Sequence, residues 1–150
     1  MKLSWTIKPF AEISVQEWHD LLRLRVDVFV VEQNCPYAEL DGLDPTAMHV
    51  FATDEKGDIV AYARVLPPDA HGLPHIGRVV VRKDLRGLGI ATEAMQHALE
   101  VVKRLFGSYR SALAAQTHLE VFYAKFGFLR TGEDYMWDGI PHVDMMREAE

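Results

Sequence analysis

Between a run of valines and a long amphipathic pattern the chain carries Arg86-Gly87-Leu88-Gly89-Ile90-Ala91, and no other segment restricts its fold as much. A strand that passes into a helix through two glycines uses backbone with positive φ and no side chains. Such a turn aims successive N–H groups at one point, and the helix behind it adds unpaired donors and the positive end of its dipole. The segment reads as an anion site, with Arg82, Lys83 and Arg86 as nearby cations. The alternative is a glycine-rich turn with no ligand. Two familiar phosphate motifs fail: a dinucleotide loop needs Gly or Ala where Thr92 stands, and Gly-Lys-Ser/Thr occurs nowhere. A diphosphate bound without either motif leaves coenzyme A as a leading candidate.

The surrounding pattern is mixed α and β. Ser14-Val15-Gln16-Glu17 forms a capping box, and Val15, Trp18, Leu21, Leu22 and Val26 continue at helical spacing, predicting a helix over 15 to about 30. Residues 32–45 lose periodicity and hold two prolines and four carboxylates, as a loop or short turns would. Strands are expected over 48–53 and 59–66, joined by a turn at 54–58, and over 75–81, where the β-branched run implies burial on both faces. A long helix follows from Ala91 to a stop at Gly107. A short strand over 111–115, an amphipathic helix over 117–126 and a closing hairpin over 128–146 around Asp138-Gly139 complete the reading.

At 150 residues the chain fits one domain spanning 1–150, long enough to fold without a metal or disulfide. Its formal charge of −6 argues against nucleic acid and anionic membranes, which reward basic patches. The single cysteine, Cys35, with no apolar leader or spanning segment, indicates a soluble protein of the reducing cytoplasm. No metal is expected: the His71/His75 pair would need a helix that Gly72 and Pro74 oppose.

Val79-Val80-Val81, the Arg86–Ala91 loop and Phe122-Tyr123-Ala124-Lys125-Phe126-Gly127-Phe128 together resemble the GNAT superfamily of acyl-CoA N-acyltransferases. The segments Val30-Val31-Glu32-Gln33-Asn34-Cys35-Pro36-Tyr37, Ala115-Gln116-Thr117-His118-Leu119 and Asp138-Gly139-Ile140-Pro141-His142 narrow the likeness to its ElaA-like group, and the match spans nearly the whole chain. One departure is Asp84, which stands where a stricter register of the acyl-CoA loop has Gln or Arg. The resemblance implies an α/β fold with a mixed sheet splayed between its fourth and fifth strands and helices on both faces. It implies acetyl-CoA as co-substrate, with Val79, Val80 and Val81 facing its pantetheine and thioester. Arg86, Gly87, Leu88, Gly89, Ile90, Ala91 and Thr92 would hold the diphosphate.

Acyl transfer to an amine needs a neutral amine, a polarised thioester carbonyl and a proton for the departing thiolate. A thiol has a pKa of about 8.5 and a phenol of about 10, so a tyrosine can protonate a thiolate at neutral pH. The resemblance gives that role to Tyr123; the alternative is a core residue in phase with Phe122 and Phe126. His75, His118 and His142 are candidate bases, although a histidine in such a position is more often a hydrogen-bonded structural residue than a catalyst. Glu32, Tyr37, Glu39 and Asp41, with Asp44, form an acidic stretch that would attract the ammonium of a small-molecule or peptide acceptor, unless it is merely solvated. An acyl-cysteine on Cys35 lacks a neighbouring base. A non-catalytic acyl-CoA binder with the same fold is the rival reading, and the edges of such a sheet leave room for a homodimer.

Overall fold

The computed structural model describes residues 2–149. Helix α1 (Val15–Val26) begins where the capping box predicts: the Glu17 N–H donates to Ser14 Oγ at 3.0 Å, and the Ser14 N–H donates to Glu17 Oε1 at 2.9 Å. The chain then widens into a π turn over Asp27–Glu32. Strands β2 (Met48–Thr53), β3 (Ile59–Leu66) and β4 (His75–Val81) fall where their β-branched runs and turns place them. Strand β1 (Ser4–Pro9), which the sequence reading leaves unassigned, pairs with β2 and turns Trp5 and Ile7 toward the core.

Helix α2 (Ile90–Phe106) follows the glycine loop and ends at Gly107. After β5 (Ser111–Gln116) the expected ten-residue helix is shorter: a single 3-10 turn, Thr117–Leu119, precedes α3 (Glu120–Ala124). The last section holds β6 (Leu129–Arg130), β7 (Tyr135–Trp137) and β8 (Ile140–Arg147). Trp137 pairs with Ile140 across Asp138 (φ 50°) and Gly139 (φ 78°), the left-handed pair a type I′ turn requires.

The sheet runs β1-β2-β3-β4-β5-β8-β6, with β7 also on β8. Neighbouring residues of β2 show why helices cover both faces. Phe51 packs with Tyr62 and Val80 under Leu21, Leu24 and Val28 on the α1 side, and Val50 packs with Ala63, Val65 and Ile76 under Met95, Ala98 and Leu99 of α2. Each buried Val, Leu or Ile contributes about 1.5–3 kcal/mol, so two apolar faces make this sheet the fold's anchor. No helix is long and apolar enough to cross a membrane among the described residues.

All pairings are antiparallel except β4–β5, which is parallel and joined at one point, His75 opposite Ala112. Beyond it the strands part, so the expected splay is present. The opening also corrects the expectation of a fully buried β4: Gly77, Arg78 and Val79 are half-buried, because no strand covers them there.

Candidate active site

A bulge shapes the opening. Tyr62 pairs with Val80 and Arg64 with Gly77, so β4 spends one residue more than β3 over this stretch, and Arg78 sits at φ 53°. A non-glycine residue in that region is uncommon and costs roughly 1–2 kcal/mol, which the surrounding contacts must offset. The bulge turns β4 away from β5 and leaves its β5 side without a strand partner past His75.

The resulting cleft has a volume of about 600 Å³ and is floored by Gly77 to Val81. It brings together most of the residues singled out in the sequence: Tyr123, His75, His118, His142, the three valines, Arg86, Glu32, Tyr37 and Asp41 all line it. The glycines of the loop and Ile90 to Thr92 lie outside the lining, at the C-terminal end of β4, and Glu39 is absent from it.

At the loop Gly87 and Gly89 have φ of 83° and 82°, and Gly89 caps α2 in the left-handed conformation. No side chain caps that helix start, so its first N–H groups stay open to an anion. A Cβ on either glycine would meet nothing within 4 Å, so conformation rather than crowding selects glycine. Ile90 is buried against Ala52, Val60 and Val81, leaving its backbone to serve a ligand. The cations are more committed than their spacing implies. Arg82 pairs with Asp84 at 2.7 Å, and Arg86 forks onto Glu32 at 2.5 and 2.8 Å while donating to the Val81 carbonyl at 3.1 Å. Glu32, placed by its sequence with the acidic stretch, therefore belongs to the loop side, where Arg86 holds its carboxyl below the usual range. These residues fit a diphosphate.

Tyr123 is 8% exposed, and its hydroxyl makes no hydrogen bond among the described residues. Burial alone pushes its pKa up to about 12, so the phenol stays protonated throughout the physiological range. His142 donates from Nδ1 to the Ile140 carbonyl at 2.7 Å, since a carbonyl can only accept, and Trp137 and Tyr135 flank its ring. The neutral ring then carries its lone pair on Nε2. His75 bonds through Nε2 to Asp69 at 2.7 Å, and that contact, with the Leu73 and His71 N–H groups, holds the Asp69 carboxyl down to about 2. His118 has no side-chain hydrogen bond among the described residues.

The acidic stretch departs most from its reading. Glu39 and Asp44 are buried, and each carboxylate meets arginine. Glu39 accepts from Arg25 at 2.6 Å and Arg78 at 3.0 Å, Asp44 from Arg25 at 2.8 Å and Arg64 at 3.1 Å, and Asp41 from Arg64 at 2.5 and 3.0 Å. Tyr37 donates its hydroxyl to Glu39. Burial pushes Asp41 up, but the Arg64 bonds prevail and hold it at about 2. The stretch is thus not a free negative field for an ammonium: two buried carboxylates and the more exposed Asp41 balance three arginines, because unpaired charges buried there would cost several kcal/mol each. Periodicity hid Arg25, although it stands four residues after Leu21 on the apolar face of α1, and a charge there is the signal that a buried partner exists. Arg78, alone among the apolar residues of β4, is the same signal. Gln33 and Gln116, which exchange hydrogen bonds at 3.3 and 3.5 Å across the cleft, leave no such mark.

Among the described residues no three His, Cys, Asp or Glu gather as a metal site. A parted β4–β5 seam, a bulged fourth strand and an uncapped glycine-led helix at its end match the GNAT fold that the sequence resemblance implies. A profile of the acetyltransferase (GNAT) domain matches residues 21–149, and the chain belongs to that family. Within it the chain is ElaA-like. It is 43% identical over 149 residues to protein ElaA of Escherichia coli, covering 98% of this chain and 97% of that one. The crystal structure of Escherichia coli ElaA superposes with a TM-score of 0.92 at 40% identity, over 98% of this chain and 100% of that one. An acyl-CoA N-acyltransferase from Pseudomonas aeruginosa superposes at 0.93 with 41% identity, over the same shares.

Proposed function

We propose that the protein is an acetyl-CoA-dependent N-acetyltransferase that moves the acetyl group to a primary amine by direct attack in a ternary complex. The observation that carries this reading is Tyr123, whose hydroxyl is unbonded among the described residues, lining a cleft that reaches Arg86 beside an uncapped helix N-terminus. The diphosphate of the donor rests on the backbone of residues 86–92, and its pantetheine takes the place of a strand along Val79 to Val81.

The amine lone pair attacks the thioester carbonyl carbon, whose oxygen gains charge and is met by a β4 backbone N–H left without a strand partner. As the tetrahedral adduct collapses the C–S bond breaks, and the sulfur takes the Tyr123 proton. The proton shed by nitrogen goes to a base. His142 fits that role best: its orientation is fixed through Nδ1 and its Nε2 is the open acceptor, the arrangement a positioned base needs. His75 lies at the closed end of the seam, tied to an exposed carboxylate, and His118 has nothing to orient it.

Free-thiol release from acetyl-CoA, followed across a panel of amines, amino acids and peptides, tests the reading. Amine-dependent release is expected. Tight acetyl-CoA binding with no release across the panel would mean an acyl-CoA binder with the same fold.

A further inference from the structure

The arginine–carboxylate network lines one end of the cleft, and what remains unpaired in it is donor only. Asp41 Oδ1 accepts from Arg64 and the Leu43 N–H, and Oδ2 from Arg64 and Arg78. Glu39 Oε1 accepts from Tyr37, and Oε2 from Arg25 and Arg78. Asp44 is buried beneath Arg25 and Arg64. Each carboxylate oxygen of Glu39, Asp41 and Asp44 therefore already accepts a hydrogen bond, all but one of them from an arginine. A guanidinium, by contrast, carries five N–H donors and no acceptor. Arg78 uses Nε and Nη2, and its Nη1 makes no bond among the described residues. Arg64 lines the same cleft with a buried Nε that also has no partner.

Arg78 is held in place for the purpose. Its backbone sits at φ 53° in the bulge, Glu39 fixes one edge of its fork, and its guanidinium lies 5.6 Å from the Tyr37 ring centroid. A strained, doubly anchored arginine that lines a cleft and keeps one terminal nitrogen unbonded among the described residues is a preorganised site for an anionic oxygen. From this we infer that the acyl acceptor carries a carboxylate besides its amine, as an amino acid or a short peptide does, and that Arg78 receives that carboxylate. An acceptor carrying a second ammonium in place of the carboxylate would bring a cation against the Arg64 and Arg78 guanidiniums at this end. The inference rests on the transferase reading for the amine's fate, but not for its binding.

The test is calorimetric titration of the full chain saturated with coenzyme A, which fills the donor side without turnover. Phenylalanine and the dipeptide alanyl-phenylalanine are each compared with their carboxamides. In at least one pair the carboxylate should bind about tenfold more tightly, the scale of a charge-assisted hydrogen bond. Arg78→Gln should bring that ratio close to one, and Arg78→Lys, which keeps a cation for Glu39 but lacks the planar fork, should lower it several-fold. Equal or tighter carboxamide binding, no binding by any probe, or a ratio surviving in both variants would overturn the inference. The wild-type ratio needs no variant, so misfolding of Arg78→Gln, read by circular dichroism, does not shield the claim. Thiol release run alongside separates the two readings. Carboxylate preference without release removes the transferase and leaves this site standing, whereas release with no such preference does the reverse.

Discussion

His142 and Tyr123 gain their suggested roles from what they do not bond to. An imidazole whose Nδ1–H is fixed on the Ile140 carbonyl can take a proton only on Nε2, and a buried phenol without a partner can give its proton only to a ligand. His142→Ala should lower kcat by about a hundredfold, the lower end of general-base effects; a variant retaining the wild-type rate would take the base role from His142. On the alkaline side no loss of donor function is expected until the Tyr123 phenol ionises, near 12. Tyr123 was legible in the sequence as half of a pattern, an aromatic in helical phase beside Phe122. That its hydroxyl lies unbonded was not, because nothing in spacing records the absence of a partner.

Two elements turn this fold into a site. In the loop before α2, Gly89 holds φ 82° at the helix cap with nothing crowding it. Gly89→Ala should therefore cost only about 1–2 kcal/mol of stability, the left-handed penalty, yet weaken acetyl-CoA binding by more than that loss accounts for. Melting curves with and without acetyl-CoA would separate the two; an unchanged affinity would leave the loop without a phosphate role. The stretch from Tyr37 to Asp44 is the second element. Asp41 is held at about 2 against roughly 3.9 in an unfolded chain, so its stabilising contribution is complete above about pH 4 and is lost as pH falls toward 2. Asp44, lowered by Arg25 and Arg64 against its burial, acts in the same direction. Denaturant midpoints measured from pH 5 to 2 should decline across that window, and a flat profile would contradict the pairing. Here the sequence was read correctly as irregular and acidic but wrongly as available charge. Local composition counts carboxylates, while their neutralisation comes from Arg25, Arg64 and Arg78 on three other elements. The helix over 117–126 shortened for a related reason, since periodicity marks the inward face and not where a 3-10 turn gives way to α-helix.

Across the whole molecule the sheet is continuous except at one seam. Antiparallel ladders run on either side, interrupted by register shifts in β2–β3 and β3–β4, both faces are covered by helices, and β4 and β5 meet only at His75 and Ala112. Strands β2 to β5, the capped start of α1, the glycine loop and α2 were all readable from short-range pattern, because each is set by residues close in sequence. The seam itself was not readable from pattern: the bulge that opens it depends on register against β3, and only the family resemblance anticipated the splay. The net charge of −6 is likewise uninformative until it is distributed, since Glu32 and Asp41, two of the carboxylates lining the cleft, are already paired with arginines. What the fold as a whole is claimed to do is bring an amine to a thioester with Tyr123 standing by the leaving sulfur. The most direct measurement is kcat of Tyr123→Phe beside wild type on one accepted amine, with the Kd for acetyl-CoA determined on both. A fall of about a hundredfold or more in kcat with Kd unchanged is expected; equal turnover at equal Kd would contradict the proton-donor role of Tyr123.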